Sequence, residues 1–396
     1  MADRKSSWLP VISLTFATFI FNTSEFIPIG LLTDIAQDFA ISESKAGMLI
    51  TGYAWVVAAA SLPLMLAFSR TENKKLLLSV LALFVCSHIL SGVSTSYGML
   101  MLSRIGVACS HAIFWSIVTP VAVRVAPEGK ASTALSLTVT GSSVAMIVGL
   151  PLGRAIGLLV GWRVTFLIIG AIAAAVFVLI AAALPRVPSE ESVSVRELPS
   201  LLKTPGLIAT YIFTAVMITG HFTAYSYIEP FLAQVAGLSA GAITLVLSGF
   251  GVVGIIGSFF FSKRYDTHPK TFVMIAIIGI PVFTLLLAPS ALTPATAVTV
   301  CLLWGLSINS YNLTFQSKIM EMVPRGTEIA MSIYSGIYNV GIGAGALVGG
   351  VVCTHLGISS IGYVGGALAL IAAVFCLWKC LPVYEGMKDI SRQGRH

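Results

Sequence analysis

The sequence predicts an all-α membrane protein, with twelve transmembrane helices arranged as two pseudo-symmetric six-helix bundles. Three observations lead to this fold class: an apolar composition, twelve long apolar segments, and a repeat that relates the two halves of the chain. Of the 396 residues, 57% are hydrophobic and 10% are charged. Soluble domains carry about 25% charged residues, so this chain is too poor in charge to cover a water-facing surface. We therefore expect a lipid bilayer to be its main solvent.

Twelve apolar segments are long enough to cross a bilayer, which requires about 20 residues in a helix. They lie near 9–32, 46–68, 76–95, 98–122, 132–158, 164–184, 206–233, 241–261, 271–289, 295–317, 328–353 and 358–380. The longest polar interval separates the sixth segment from the seventh. The sequence thus predicts an N-terminal bundle at 1–184, a cytoplasmic linker at 185–205 and a C-terminal bundle with a short tail at 206–396.

The basic residues indicate orientation rather than nucleic-acid binding. The net charge is +7, but the Lys and Arg residues are scattered in short clusters between apolar segments. Of the 23, all but four fall in the tails and in alternate connections; the exceptions are Lys45, Arg104, Arg154 and Arg163. Because cytoplasmic loops are enriched in Lys and Arg, we expect both termini in the cytoplasm.

A repeat relates the two halves at a shift of 196 residues. The matched pairs are Ala134 with Ala330, Ser136 with Ser332, Gly149 with Gly345, Gly153 with Gly349, Gly161 with Gly357 and Gly170 with Gly366. Each half starts on the same side of the membrane, so the repeat is parallel. Transporter folds are commonly built from such internal repeats.

Polar side chains interrupt the first apolar segment. Thr15, Thr18, Asn22 and Glu25 are spaced so that they share one helix face. An ionisable side chain at mid-membrane costs about 2.5 to 3.5 kcal/mol, so it needs a partner, a wet cavity or a function. We therefore regard Glu25 as a candidate proton carrier.

The fourth segment carries Arg104, His111 and Trp115 on one face. Counting the helix rise places Glu25 and Arg104 in the same half of the membrane, where a contact between them is geometrically allowed. One interpretation is a buried ion pair that joins the two helices. The other is a proton-coupling site formed by Glu25, Arg104 and His111.

The second half offers mainly neutral polar groups and aromatic rings. Amides, hydroxyls and flat rings suit a neutral polyhydroxy ligand better than an anion, which would require several basic residues at depth. The candidate substrate-binding residues are Asn22 and Trp115 in the first half, and His221, Tyr225, Asn309, Asn312, Tyr338 and Asn339 in the second. For each amide, an interhelical hydrogen bond is the alternative interpretation.

Several stretches together resemble the major facilitator superfamily, and more closely its bacterial drug and sugar proton antiporters. They are NTSEFIPIGLL, SRIGVACSHAIFWS, GLPLGRAIGLLVGWRVTF, YNVGIGAGALVGG and TAYSYIEPF. The set is similar to the sugar efflux transporter family known as SotB, over nearly the whole chain. The resemblance implies a bacterial inner-membrane protein that alternates between inward-open and outward-open states.

The resemblance also assigns roles to residues. It implies that Arg104 takes part in proton coupling, and that Gly149, Pro151 and Gly153 form the antiporter motif of the fifth segment. One departure concerns the loop between the second and third segments, which usually carries an Asp and two Gly. Here Arg70 stands where the Asp would fall and Asn73 where a Gly would, so the usual charge lock of this loop is not expected.

These features predict a proton-driven exporter of small neutral sugars, such as arabinose, lactose or thiogalactosides. A multidrug or other small-metabolite antiporter on the same fold is the alternative. We expect no enzyme, because the sequence contains no P-loop, zinc-ligand motif or nucleophile elbow. We expect no cofactor or metal either. The expected partners are the sugar, protons and the lipid bilayer, without nucleic acid, and the family expectation is a monomer.

Overall fold

The computed structural model describes residues 7–188, 204 and 206–384, except residues 69, 129, 266 and 324–326. Within these residues the regular structure is helical, and no strand occurs. Eight of the described helices are long and apolar enough to cross a membrane. The chain forms two compact units, Met1–Ser192 and Val193–His396. The predicted all-α fold class is confirmed, whereas most of the predicted linker 185–205 lies outside the described residues.

Eight α-helices lie among the described residues of the first unit. They are α1 (Leu9–Gly30), α2 (Leu32–Asp38), α3 (Glu43–Phe68), α4 (Asn73–Gly92), α5 (Tyr97–Arg124), α6 (Ala131–Val144), α7 (Leu150–Val160) and α8 (Trp162–Ala183). A π-helical turn, Ala145–Gly149, joins α6 to α7, so the fifth apolar segment is an interrupted helix. Pro10 lies in the first turn of α1, where its missing N–H has no helical partner to lose.

The second unit contains a further eight α-helices among its described residues. They are α9 (Leu207–Tyr225), α10 (Ile228–Gln234), α11 (Ala240–Arg264), α12 (Pro269–Leu285), α13 (Leu287–Ser290), α14 (Pro294–Met322), α15 (Thr327–His355) and α16 (Ile361–Phe375). A π turn at Cys376–Cys380 follows α16. Ser239 and Thr293 cap α11 and α14 by accepting a backbone N–H, which satisfies donors that a helix start leaves open.

Both units use the same pattern of helix packing. In the first, α1 packs on α6 and α7, α3 and α4 pack on α5, and α4 packs on α8. In the second, the corresponding contacts join α9 to α15, α11 and α12 to α14, and α12 to α16. The structure therefore carries the repeat that the sequence predicts at a shift of 196 residues.

Glycines set the closest of these contacts. A Cβ added at Gly149 would overlap the side chain of Thr23, and one added at Gly345 would overlap the backbone of Thr219. The shift of 196 relates the two glycines and also relates the two threonines. Small residues let membrane helices approach closely. The same close approach thus recurs in the two units.

The loop before α4 is joined to the segment that follows α8. Glu72 Oε1 accepts hydrogen bonds from the backbone N–H of Lys74, at 3.1 Å, and of Val187, at 2.9 Å. The N–H of Asn73 donates to the carbonyl of Val187 at 2.9 Å. The Lys74 ammonium donates to the carbonyl oxygens of Ala181 and Leu184, at the end of α8. Hydrogen bonds to backbone groups therefore fix the described part of this loop.

Glu72 has a pKa below its ordinary value of 4.5. Desolvation acts to raise the pKa of this carboxyl, but hydrogen bonds from the backbone of Val187, Lys74 and Lys75, together with the charge of Lys75, outweigh it. These interactions favour the ionised form. The carboxylate is thus the form that holds the loop to Val187.

Candidate functional site

The first cluster of candidate residues lies where α1 crosses α5. Oε2 of Glu25 is 3.4 Å from Nε2 of His111, and the two side chains are 11% and 4% exposed. Phe21, one turn before Glu25, packs between the rings of Phe84 and Phe114, with ring centroids 4.0 and 3.9 Å away. This stacking fixes the face of α1 that carries the carboxyl group.

Both nitrogens of the His111 ring have partners. Tyr53 on α3 places its hydroxyl 2.6 Å from Nδ1, and the indole N–H of Trp115 donates to Nε2. Because an indole N–H can only donate, Nε2 accepts in this arrangement and Nδ1 carries the ring proton. Nδ1 then donates to the Tyr53 oxygen. Glu25 therefore faces a nitrogen that holds a lone pair.

Arg104 lies beside this cluster and is 1% exposed. Its guanidinium donates to the carbonyl oxygens of Ser24, at 3.2 Å, and of Glu25, at 3.5 Å. The guanidinium carbon is 4.6 Å from the centre of the Tyr53 ring. The direct Glu25–Arg104 side-chain contact that the sequence allows is not formed, since His111 takes the carboxyl and Arg104 binds the backbone behind it.

His88 connects to the same backbone from α4. Its Nδ1 lies 2.9 Å from the carbonyl of Phe84 and its Nε2 lies 2.8 Å from the Ser24 hydroxyl. The ring therefore donates to the carbonyl through Nδ1 and accepts from the hydroxyl through Nε2. Both nitrogens are satisfied, so His88 positions the Ser24 turn on which Arg104 rests.

Asn22 is bonded within the protein rather than left open. Its amide donates to the hydroxyl of Ser142 on α6. One turn earlier, Thr18 donates to the carbonyl of Thr138 at 3.2 Å. The polar face of α1 is thus divided, because Thr18 and Asn22 bind α6 while Glu25 faces α5.

A second cluster forms in the other unit from aromatic side chains of α9, α11 and α14. The ring of His221 stacks on Tyr225, with centroids 5.1 Å apart, and meets Trp304 edge to face at 5.1 Å. Phe250 packs 5.4 Å from Tyr225 and 5.7 Å from Trp304. We refer to these four residues as the aromatic cluster. Sequence reasoning selected His221 and Tyr225 but not Phe250 or Trp304.

Two polar atoms of the aromatic cluster have no hydrogen-bond partner among the described residues. They are Nδ1 of His221 and the indole nitrogen of Trp304, and both side chains are buried. Buried polar groups are nearly always hydrogen-bonded, so such groups call for an explanation. The hydroxyl groups of a ligand could form the missing hydrogen bonds to these two nitrogens.

The predicted amides of this unit have different surroundings. The Asn309 amide donates to the carbonyl of Gly254 at 3.1 Å, which joins α14 to α11. Asn339 donates to the carbonyl of Ser335 on its own helix, while its Oδ1 has no partner in the described part of the chain. Asn312 is half-buried, and the ring of Tyr338 lies 6.5 Å from that of Phe222.

Comparison with known proteins identifies the family. The family model described as the Major Facilitator Superfamily matches residues 14–328. This chain belongs to the Major Facilitator Superfamily. Membership indicates a multi-pass membrane transporter rather than an enzyme.

Solved major facilitator structures share the fold of this chain. Two of them are of a bacterial homologue of the human lysosomal transporter Spinster, in inward-facing conformations. The unoccupied form is 15% identical, with a TM-score of 0.73 over 98% of each chain. The occupied form is 16% identical, with a TM-score of 0.78 over 93% of this chain and 96% of that chain. At this level of identity the likeness establishes the fold alone.

The predicted antiporter motif lies at the break in the fifth transmembrane segment of this major facilitator protein. Gly149 ends the π turn, and Pro151 lies in the first turn of α7, where a proline is tolerated. A Cβ at Gly153 would overlap Ile27 on α1. The motif therefore places a helix break next to a close contact with α1, the helix that carries Glu25.

Proposed function

We propose that this protein is a proton-coupled antiporter that exports small neutral sugars across the bacterial inner membrane by alternating access. The observation that carries the proposal is the buried contact between Glu25 and His111. Ionisable residues inside membrane segments are costly and mark proton relays and substrate paths in transporters. The resemblance of the sequence to sugar efflux transporters supplies the substrate class. In this proposal both termini lie in the cytoplasm and the protein works as a monomer.

The contact between Glu25 and His111 supports a single exchangeable proton shared by the two side chains. A carboxylate facing the Nε2 lone pair of His111 is repelled, whereas one proton between the two atoms makes the contact favourable. That proton lies either on Glu25 or on Nε2. In either case the single lone pair of Nε2 is used, so the nitrogen can no longer accept from Trp115 and the indole must find another partner. Proton binding is thus linked to the position of Trp115.

Arg104 supplies a place for the carboxylate once the proton has left. Its Nη2 already lies 3.5 Å from the backbone oxygen of Glu25, so a change of side-chain rotamer brings the carboxylate to the guanidinium. Charge-assisted hydrogen bonds of this kind are stronger than neutral ones. In the proposed cycle, Glu25 exchanges between His111 in the protonated state and Arg104 in the deprotonated state.

The aromatic cluster is the proposed substrate-binding element of the second unit. A sugar presents apolar C–H faces that stack on rings and hydroxyls that bind polar atoms. The unpartnered nitrogens of His221 and Trp304 could satisfy such hydroxyls, and Asn312, Tyr338 and Asn339 add further polar groups. Asn309 and Asn22 are assigned to helix packing instead, because their amides are bonded to other helices.

A multidrug antiporter is the second candidate. The aromatic cluster favours it, since flat apolar drugs also stack on Trp, Phe and Tyr rings. Two of the amides that favoured a sugar are engaged within the protein. The two candidates share the proton site, and they differ in whether hydrogen bonding at His221 and Trp304 contributes to substrate binding.

Accumulation of labelled arabinose and of a labelled thiogalactoside tests the proposal in cells with and without the protein. We expect lower accumulation in cells that contain it, and a rise to the control level when a protonophore collapses the proton gradient. Cells that contain the Glu25→Gln variant should behave like cells without the protein. No difference in accumulation for either sugar would remove the sugar assignment and leave the drug candidate to be tested with labelled cationic dyes.

A further inference from the structure

A cavity of about 400 Å³ opens in the second unit between α11, α12 and α14. It is separate from the aromatic cluster, none of whose residues line it. Four large apolar side chains form its walls: Phe260, Phe272, Ile275 and Leu306. Arg264 and His268 lie at one end, where α11 finishes and α12 begins. The cavity therefore has an apolar body and a basic mouth.

The apolar walls continue onto the outer surface of the unit. Phe260 is 55% exposed and Ile275 is 37% exposed. Contiguous exposed apolar side chains are unusual on a surface that meets water. On a membrane-spanning unit they suit contact with acyl chains. A chain from the lipid bilayer is thus the natural occupant of the apolar body.

The mouth is basic. Arg264 and His268 line it, and the N-terminus of α12 adds the partial positive charge of its free N–H groups. Among nearby acids, Glu321 is paired with Lys318 at 2.5 Å and accepts from the Tyr265 hydroxyl. Asp266 lies outside the described residues. Among the described residues the mouth is therefore basic, which favours an anion.

We propose that this cavity binds one anionic phospholipid, with its phosphate on Arg264 and His268 and an acyl chain against Phe260, Phe272 and Ile275. Basic pockets between transmembrane helices are known sites for anionic headgroups, and each basic residue near the headgroup adds about fivefold in affinity. The distribution of Lys and Arg predicts that this end of the unit faces the cytoplasm. The site does not depend on which substrate the transporter carries.

Photolabelling of the full-length protein in vesicles tests this site. The protein is reconstituted in phosphatidylcholine that contains a trace of phosphatidylglycerol with a photoactivatable group on its acyl chain. A second sample uses the same group on phosphatidylcholine. Peptide mass spectrometry then locates the label. We expect phosphatidylglycerol to label the 257–275 peptides several times more strongly than phosphatidylcholine does.

Variants separate the headgroup from the chain. Replacing both basic residues at the mouth, Arg264→Gln with His268→Gln, should remove the preference for phosphatidylglycerol. Lys263→Gln is the matched control: it removes a neighbouring charge, but Lys263 lies over the Phe259 ring and does not line the cavity. Ile275→Trp should fill the body and reduce labelling by both lipids.

Three results would overturn the proposal. The first is equal labelling of the 257–275 peptides by the two lipids. The second is an unchanged preference for phosphatidylglycerol in the Arg264→Gln and His268→Gln double variant. The third is loss of labelling caused equally by Lys263→Gln, which would indicate a diffuse surface charge effect rather than a site. Size-exclusion profiles that match the parent protein would show that the variants fold.

Discussion

Glu25 on α1 contacts His111 on α5 through Oε2 and Nε2, 3.4 Å apart, while the guanidinium of Arg104 binds the backbone on the other side of Glu25. The carboxyl group is thus held between a ring that can take its proton and a cation that can take its charge. Neither contact needs a group from outside the first unit.

Glu25→Gln should abolish sugar transport driven by a pH gradient, because an amide cannot release a proton to His111. The shape of the side chain is kept, so the variant should fold. The measurement is uptake into proteoliposomes with an imposed pH gradient, beside exchange without a gradient. Glu128→Gln, at an exposed loop carboxylate, is the control and should leave both rates unchanged. Full gradient-driven transport by the Glu25 variant would contradict the proposed proton site.

Arg104→Lys should lower both stability and coupling, although it keeps the charge. A lysine has a single ammonium and cannot bind the carbonyl oxygens of Ser24 and Glu25 with a planar fork. Loss of one charge-assisted hydrogen bond is worth about 1.5 to 3 kcal/mol. Thermal unfolding in detergent and gradient-driven transport provide the two measurements. An unchanged melting temperature together with unchanged transport would show that the charge alone is sufficient.

Trp304→Phe distinguishes the two substrate candidates. The change keeps an aromatic ring in the aromatic cluster and removes the indole N–H, which has no partner within the described residues. If the N–H binds a sugar hydroxyl, the apparent KM should rise about two- to tenfold, the equivalent of one neutral hydrogen bond. His221→Phe should act in the same direction. An unchanged KM in both variants would favour stacking alone, as expected for a drug.

Glu72→Gln should destabilise the first unit in a pH-dependent way. The pKa of Glu72 lies below 4.5 in the folded protein, so its ionised form contributes stability above the unfolded value and loses it as the pH falls through the folded pKa. Removing a helix N-cap interaction costs about 1 kcal/mol.

The measurement for Glu72 is the melting temperature of parent and variant between pH 7 and pH 3. We expect the parent to be more stable at pH 7 and the difference to shrink once the pH falls below 4.5, where the carboxyl of the unfolded chain is already protonated. A constant difference across this range would assign the effect to shape rather than to charge. Glu128→Gln again serves as a control.

Gly149→Ala should destabilise the contact between α1 and the fifth segment, by about 1 to 3 kcal/mol for overpacking. The added methyl group meets the side chain of Thr23, so Thr23→Ala in the same protein should recover part of the loss. Gly345→Ala meets the carbonyl oxygen of Thr219 instead, and Thr219→Ala should bring no recovery. Melting temperatures of the two double variants test this difference. Equal recovery in both would contradict the contacts described.

Most of the helix positions could be predicted from apolar segments alone. The prediction of 9–32 for the first segment compares with α1 at Leu9–Gly30, and 98–122 compares with α5 at Tyr97–Arg124. The starts of α3 and α4 were missed by three residues, because polar residues such as Glu43 and Asn73 form their first turns. Apolarity marks the part of a helix that meets lipid, whereas hydrogen bonding determines where the helix begins.

The candidate site could be predicted only in part. The helix rise predicts Glu25 and Arg104 in the same half of the membrane, and helix spacing puts His111 on the same face as Arg104. The choice between Arg104 and His111 as the partner of Glu25 depends on side-chain rotamers. Tyr53 is not predicted as part of the site. It lies on α3 in the apolar stretch TGYAW, and the residue spacing within α5 cannot show that α3 brings Tyr53 next to His111.

The sequence predicts that Asn309 binds substrate; in the structure its amide joins α14 to α11. A Cβ at the neighbouring Gly257 would overlap that amide, so the glycine lets the two helices approach. A local pattern of polar residues does not reveal such a contact between segments that are about 50 residues apart.

The contact of Gly149 with Thr23 in the first half corresponds to the contact of Gly345 with Thr219 in the second. Each contact can therefore serve as a control for the other. The two sites have the same position in their units, but only the first lies two residues from a carboxylate that is proposed to move a proton. A change that disturbs helix packing alone should therefore be felt in both halves. A substitution that disturbs only proton transfer should affect the first half alone. Matched substitutions in the two halves therefore separate effects on helix packing from effects on proton transfer.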